Sequence, residues 1–208
     1  SHKPNIFNAG SFAVLTWTDK YCPGGDQRST SYLERGGIQV PFPCVYESHI
    51  NFKDATPTWS TAQLTSAERD AKPDVNRGLS VGTPALGKWV ITWQEDPHGL
   101  HLGQAEGPGD GASGAKVTHG MDIWYAYTED LMNGSFSTPA RLTNNMTGTN
   151  GGGNFNPVYD STGNLITVLN HGSTGASRAN TKLVGPENIA IVTYEETKGS
   201  SGLDEGKF

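Results

Sequence analysis

One short phrase recurs four times along this chain. Residues 13–19 read AVLTWTD, 89–95 read WVITWQE, 164–170 read NLITVLN and 190–196 read AIVTYEE. Each is a brief apolar run, then Thr, then a large or branched residue, then an acidic or polar end. β-Branched residues dominate, turn formers flank each run, and the length suits a strand. A second phrase follows the strands, WSTAQLT at 59–65 and FSTPARLT at 136–143. Self-similarity of this kind points to an array of like units.

Between the first strands lies SHINFKDATPTW, a degraded form of the Asp-box turn, in which Ser, Asp and Trp knit a hairpin together. Such turns recur on β-propeller blades. The expected fold is therefore all-β and loop-rich, with propeller-like repeats, irregular long loops and little helix. The one helix candidate is short, Thr65–Ala71 (TSAERDA), ended by Pro73. At 208 residues the chain is long enough to bury a core without staples. A single β-rich domain over 1–208 is expected, with residues 1–9 as a flexible N-terminal tail.

Composition excludes several classes of function. The charge is −6 and only 17% of residues are charged, so the basic footprint of a nucleic-acid binder is missing. A polybasic membrane patch is missing for the same reason. No apolar run approaches the ~18 residues of a membrane-crossing helix. The opening SHKPNIFNAG does not read as a signal peptide, so any export signal is expected to have been removed beforehand. Cys22 and Cys44 sit in turn-rich contexts without C-x-x-C spacing, which argues against zinc or redox chemistry. A disulfide between them is expected to contribute about 3 kcal/mol through loop entropy. It implies an oxidising location.

The chemistry concentrates between Lys88 and Tyr127, which hold three of the six His and three of the five Trp. The centre of this stretch is too rich in Gly for regular structure, and apolar residues bracket it. That is the pattern of a long shaped loop between two strands, and loops longer than ~12–15 residues are usually functional or disordered. His98 and His101 form an H-x-x-H pair, His119 precedes the strand MDIWYAY, and His49 lies in or beside the strand CVYESHINF. His171 follows a strand, and His2 belongs to the tail. A lone His is ordinarily a hydrogen-bonded structural residue, but imidazole is also the commonest protein metal ligand. Without free thiolate, it suits copper, zinc, iron or nickel. Glu95, Asp96 and Asp110, beside Gly-rich turns, offer the oxygen ligands that calcium takes. Glu47, Glu95 or Asp96 could serve as the acid/base of a glycoside hydrolase. Sialidase-type sites also need clustered Arg, whereas Arg28, Arg35, Arg69, Arg77, Arg141 and Arg178 are scattered.

The run TWQEDPHGLHLGQAEGPGDGASGAKVTHGMDIWY, the later GASRAN and the ending YEETKGSSGLDEGK resemble one family of bacterial exported proteins. Within it, the chain most resembles the copper-binding surface proteins of methanotrophic bacteria, the CorA and secreted MopE family. The likeness runs from about Gly10 to the C-terminus. It implies a mononuclear copper(I) site of two His and a kynurenine made from Trp, serving copper acquisition and not catalysis. It further implies calcium in a larger relative, and a location outside the cell or on the outer surface of a Gram-negative bacterium. His49 and His119 stand 70 positions apart and match the family's ligand spacing best, with His98 and His101 as the alternative pair. The chain departs from the family at Glu47, where the modified Trp would stand. Trp89, Trp93 and Trp124 are then the candidates for the third ligand. The expected partners are the metal ion and a cell-surface associate of a monomeric protein. The competing readings are a calcium-stabilised, propeller-like binding or adhesion module without copper, and a glycoside hydrolase.

Overall fold

In the structure, a computed structural model, all four recurring phrases become strands. It describes residues 2–25, 29–32, 38–66, 70–71, 79–81, 87–96, 122–143, 155–159, 165–170, 175–184 and 189–197. In chain order these form β1 (His2–Ala9), β2 (Phe12–Asp19), β3 (Ser29–Tyr32), β4 (Ile38–Pro41), β5 (Cys44–Asn51), β6 (Ser60–Gln63), β7 (Asp70–Ala71) and β8 (Leu79–Val81). They continue with β9 (Lys88–Asp96), β10 (Asp122–Thr128), β11 (Ala140–Arg141), β12 (Phe155–Tyr159), β13 (Leu165–Asn170), β14 (Gly175–Val184) and β15 (Ile189–Thr197). The fold is all-β, and every strand pairing among the described residues is antiparallel. None of the described residues is helical, and no helix there is long and apolar enough to cross a membrane.

Two sheets carry the repeat. The first has the order β1-β2-β5-β6; the second runs β11-β10-β9-β7, with β8 also pairing β9. Their registers superpose residue for residue. Trp17 faces Tyr46 as Trp93 faces Trp124, and Asp19 faces Cys44 as Glu95 faces Asp122. Tyr46 faces Gln63 as Trp124 faces Arg141. Even the side-chain locks recur. Thr65 Oγ1 accepts from the Val45 amide at 2.9 Å, and Thr143 Oγ1 from the Ile123 amide at 3.0 Å. Beside each, Leu64 N–H donates to Val45 C=O and Leu142 N–H to Ile123 C=O, at 2.7 and 2.8 Å. The phrases WSTAQLT and FSTPARLT thus record the same edge strand and the same closing Thr.

Three layers follow from strand alternation. Val14 and Val45, on one face of the first sheet, pack on Trp89, Ile91 and Trp93 of β9. The other face of β9 turns to β14, where Val90 meets Leu183 and Thr92 hydrogen-bonds Thr181, Oγ1 to Oγ1, at 2.8 Å. β9 is therefore buried on both sides, as its near-continuous apolar sequence requires.

Two expectations are corrected. His2–Ala9 are not a free tail, because they form β1, which pairs with β2 with a register shift between His2 and Asn5 and turns into it through Gly10 at φ 61°. That left-handed value suits a two-residue hairpin and favours Gly. The helix expected over Thr65–Ala71 is also not formed: Asp70 and Ala71 pair with Asp96 and Glu95 as strand β7. Thr65 spends its hydroxyl on the Val45 amide instead of capping a helix. The disulfide is present, joining Cys22 to Cys44 with Cα atoms 6.0 Å apart across 22 positions. Phe42 is buried against it and Tyr46 packs alongside. In the stretch read as an Asp-box turn, Asp54 accepts from Asn51 Nδ2 at 2.7 Å and Trp59 meets Phe52 edge-on.

After β10 the chain reverses through Asp130, whose carboxylate accepts from the amides of Met132 and Asn133 and from Asn133 Nδ2. Gly134 closes the turn on Asp130 C=O at 2.9 Å, where a Cβ would meet that oxygen. The Asn133 side chain, followed by the two amides, holds the Asp130 carboxyl below its ordinary value. Its contribution is complete above the usual Asp range and is lost as pH falls through the lowered value. NMR titration of the carboxyl carbons should find Asp130 titrating below the ordinary Asp value, and Asn133→Ala should raise it. A second expectation concerns the closing threonines. Thr65→Val should cost about 1 kcal/mol in urea unfolding, and Thr143→Val about 1–3 kcal/mol, because Thr143 also serves buried Asp122. Thr138→Val, at an exposed position, should change little.

Candidate metal centre

Glu47 and His49 are two apart on β5, so both side chains leave the same face of the first sheet. Their strand lies between β2 and β6, with Thr16 and Ala62 flanking Glu47 and Val14 and Ser60 flanking His49. This is the face that packs on β9, and it buries Glu47 to 3% and His49 to 8% exposure. His49 Nδ1 and Glu47 Oε2 lie 3.1 Å apart. An ionised carboxylate can only accept. A neutral His49 must therefore carry its proton on Nδ1, which leaves the Nε2 lone pair unprotonated. No hydrogen-bond partner of Nε2 is found among the described residues. A carboxylate holding one ring nitrogen so that the other can bind is the usual arrangement behind a metal-ligating His.

The aromatic candidates stand on the facing layer. Trp89 packs on Val14, the cross-strand neighbour of His49, and meets Phe7 edge-on at 6.1 Å. Trp93 packs on Val45 and donates from Nε1 to Glu95 Oε1 at 2.8 Å. Trp124, opposite Trp93 in register, is half-buried at the rim of the same cluster. Trp89 is thus the candidate nearest the row of His49.

Of the carboxylates expected to suit calcium, Glu95 has a structural partner among the described residues. Glu95 takes the Trp93 indole N–H. Asp122, which faces Glu95 across β9 and β10, accepts from Thr143 Oγ1 at 2.6 Å and pairs with Arg141 at 3.5 Å. Asp96 ends β9 opposite Asp70, and its side chain lies outside the described residues. His98, His101, Asp110 and His119 also lie outside them, so the structure gives the setting of His49 alone. Among the described residues no group of three or more His, Cys, Asp or Glu could hold a metal ion.

Sequence reasoning named Glu47 and His49 separately, but the Glu-x-His spacing on a strand already places them side by side. The Asp122–Arg141 pair was not foreseen. Its only signal is the second phrase, which puts Arg141 where Gln63 stands in the first sheet. Compared with protein-family models, curated proteins and solved structures, the chain matches none.

The arrangement selects one tautomer of the neutral ring, and long-range ¹⁵N–¹H spectra should show it: Nδ1 of His49 protonated and Nε2 bare. Glu47→Gln should release that preference toward an ordinary tautomer mixture, while the amide spectrum elsewhere stays in place.

Proposed function

We propose that this chain is a secreted or cell-surface protein that holds a single copper ion as copper(I) and serves copper acquisition. The observation that carries this reading is the buried His49 with Nδ1 tied to Glu47 and Nε2 left for a ligand bond. Imidazole is a neutral donor suited to copper, and the one disulfide leaves no thiolate to compete for it. The second imidazole in this reading is His119, with His98 and His101 as the other pair. Trp89 is the third-ligand candidate, as Trp or as kynurenine, because it packs on the neighbour of His49. The resemblance to the CorA and secreted MopE family supplies the copper, and the disulfide supports an oxidising location. The sheet repeat supports a propeller-like arrangement of units around the site.

The test is copper stoichiometry and copper(I) affinity, measured by competition with a chromogenic chelator on protein from its native host. One copper per chain is expected. His49→Ala should lower the affinity at least ~100-fold, and Glu47→Gln about 10–100-fold, as for outer-shell partners of metal-bound His. Unchanged stoichiometry and affinity in both variants would overturn the site. A mass ~4 Da above the disulfide-bonded chain would mark Trp converted to kynurenine, and peptide mapping would then place it.

A further inference from the structure

The turn between β10 and β11 is built on a chemically labile pair of residues. Asparagine followed by glycine closes into a five-membered succinimide more readily than asparagine before any other residue, because no side chain hinders attack by the glycine nitrogen. Asn133 and Gly134 form such a pair at exposed positions, and a second pair, Asn150 and Gly151, lies outside the described residues. The turn requires its glycine: a Cβ on Gly134 would stand 2.7 Å from the Asp130 carbonyl oxygen and 3.2 Å from Thr128 Oγ1. It also uses its asparagine, whose Nδ2 donates to both carboxylate oxygens of Asp130, at 3.3 and 3.1 Å. Neither member can be exchanged without losing a contact of the turn.

The same contacts hold the reaction back. Attack needs the Gly134 nitrogen to lose its proton and to reach Cγ of Asn133. In the turn that N–H donates to the Asp130 carbonyl at 2.9 Å. The Asn133 side-chain amide is drawn onto the Asp130 carboxylate, which also accepts from the Asn133 backbone amide at 3.1 Å. A negative charge so close opposes formation of an amide anion beside it.

We propose that Asn133 is a slow, one-way modification site, deamidated through a succinimide with Gly134, and that Asp130 sets its rate by holding the groups that must meet. The bond from Gly134 N to Asn133 Cγ forms, the Cγ–Nδ2 bond breaks, and ammonia leaves with the proton that Gly134 gives up. Water then opens the imide at either carbonyl, which leaves aspartate or isoaspartate at position 133. The new carboxylate has no proton to donate, and it stands where the amide met Asp130. Two like charges then face each other, so the tie between the side chains becomes a repulsion and the turn opens. None of the residues assigned to copper takes part.

Rates of conversion at Asn133, read on the full chain by peptide mapping from the amide-to-acid mass change, test this. Asn133 should convert about 10–100-fold more slowly in the native protein than in the same chain unfolded in urea, the factor that hydrogen bonds to a charged partner contribute. This comparison needs no variant. Asp130→Ala removes the carboxylate and keeps the backbone carbonyl, so in the folded state, checked by near-ultraviolet circular dichroism, it should recover much of that factor. Asn133→Asp supplies the product directly, and hydrogen exchange at the Met132 and Gly134 amides should then quicken. Equal rates in native and unfolded protein overturn the proposal. So does a folded Asp130→Ala protein that converts no faster than the native one, or exchange that Asn133→Asp leaves unchanged.

Discussion

The burial of β9 on both faces is the constraint from which the rest of the architecture follows. A strand with Trp89, Ile91 and Trp93 on one side and Val90 and Thr92 on the other cannot lie at a surface. It must be covered twice, by the first sheet and by β14. Burying an aromatic or branched aliphatic side chain contributes about 1.5–3 kcal/mol, so the two covers together outweigh any single hairpin's own stability. Some polar groups trapped in these layers are satisfied in pairs, Thr92 with Thr181 and Trp93 with Glu95, whereas the buried Thr18 Oγ1 has no hydrogen-bond partner among the described residues. The Glu47–His49 pair is buried in the same layer.

Much of this was legible in the sequence. The four phrases announced strands because β-branched residues and flanking turns leave little else for them to form. The second phrase announced an edge strand ending in Thr, although only the register showed that Thr65 and Thr143 close the two sheets in the same way. Residues 1–9 read as a tail because Pro4, Asn5 and Asn8 dilute the pattern. On an edge strand with one exposed face, that dilution costs nothing. The TSAERDA segment read as helix from Ala, Glu and Arg propensity, yet the open edge of β9 claims Asp70 and Ala71 for a strand. Tertiary pairing outweighs propensity at such short lengths.

The candidate site was legible in part. Glu-x-His on a strand is a sequence-level statement that the two side chains are neighbours. What could not be read was their depth, since burial depends on which sheet covers that face. Asp122 and Arg141 were hidden for a related reason: 19 positions separate them, and only the β10–β11 register brings them together. Asp122 is nearly fully buried, so Arg141 and Thr143 offset a cost that a lone carboxylate there would carry in full.

The correspondence of Cys44 with Asp122 has one more consequence. At the same corner of the repeat, the first sheet is tied by a covalent bond to Cys22, and the second by a hydrogen bond and an ion pair. The second fastening can form wherever the chain can fold. The first forms only where an oxidant is at hand. Under reducing conditions the first sheet loses its fastening at this corner, while the second keeps its own.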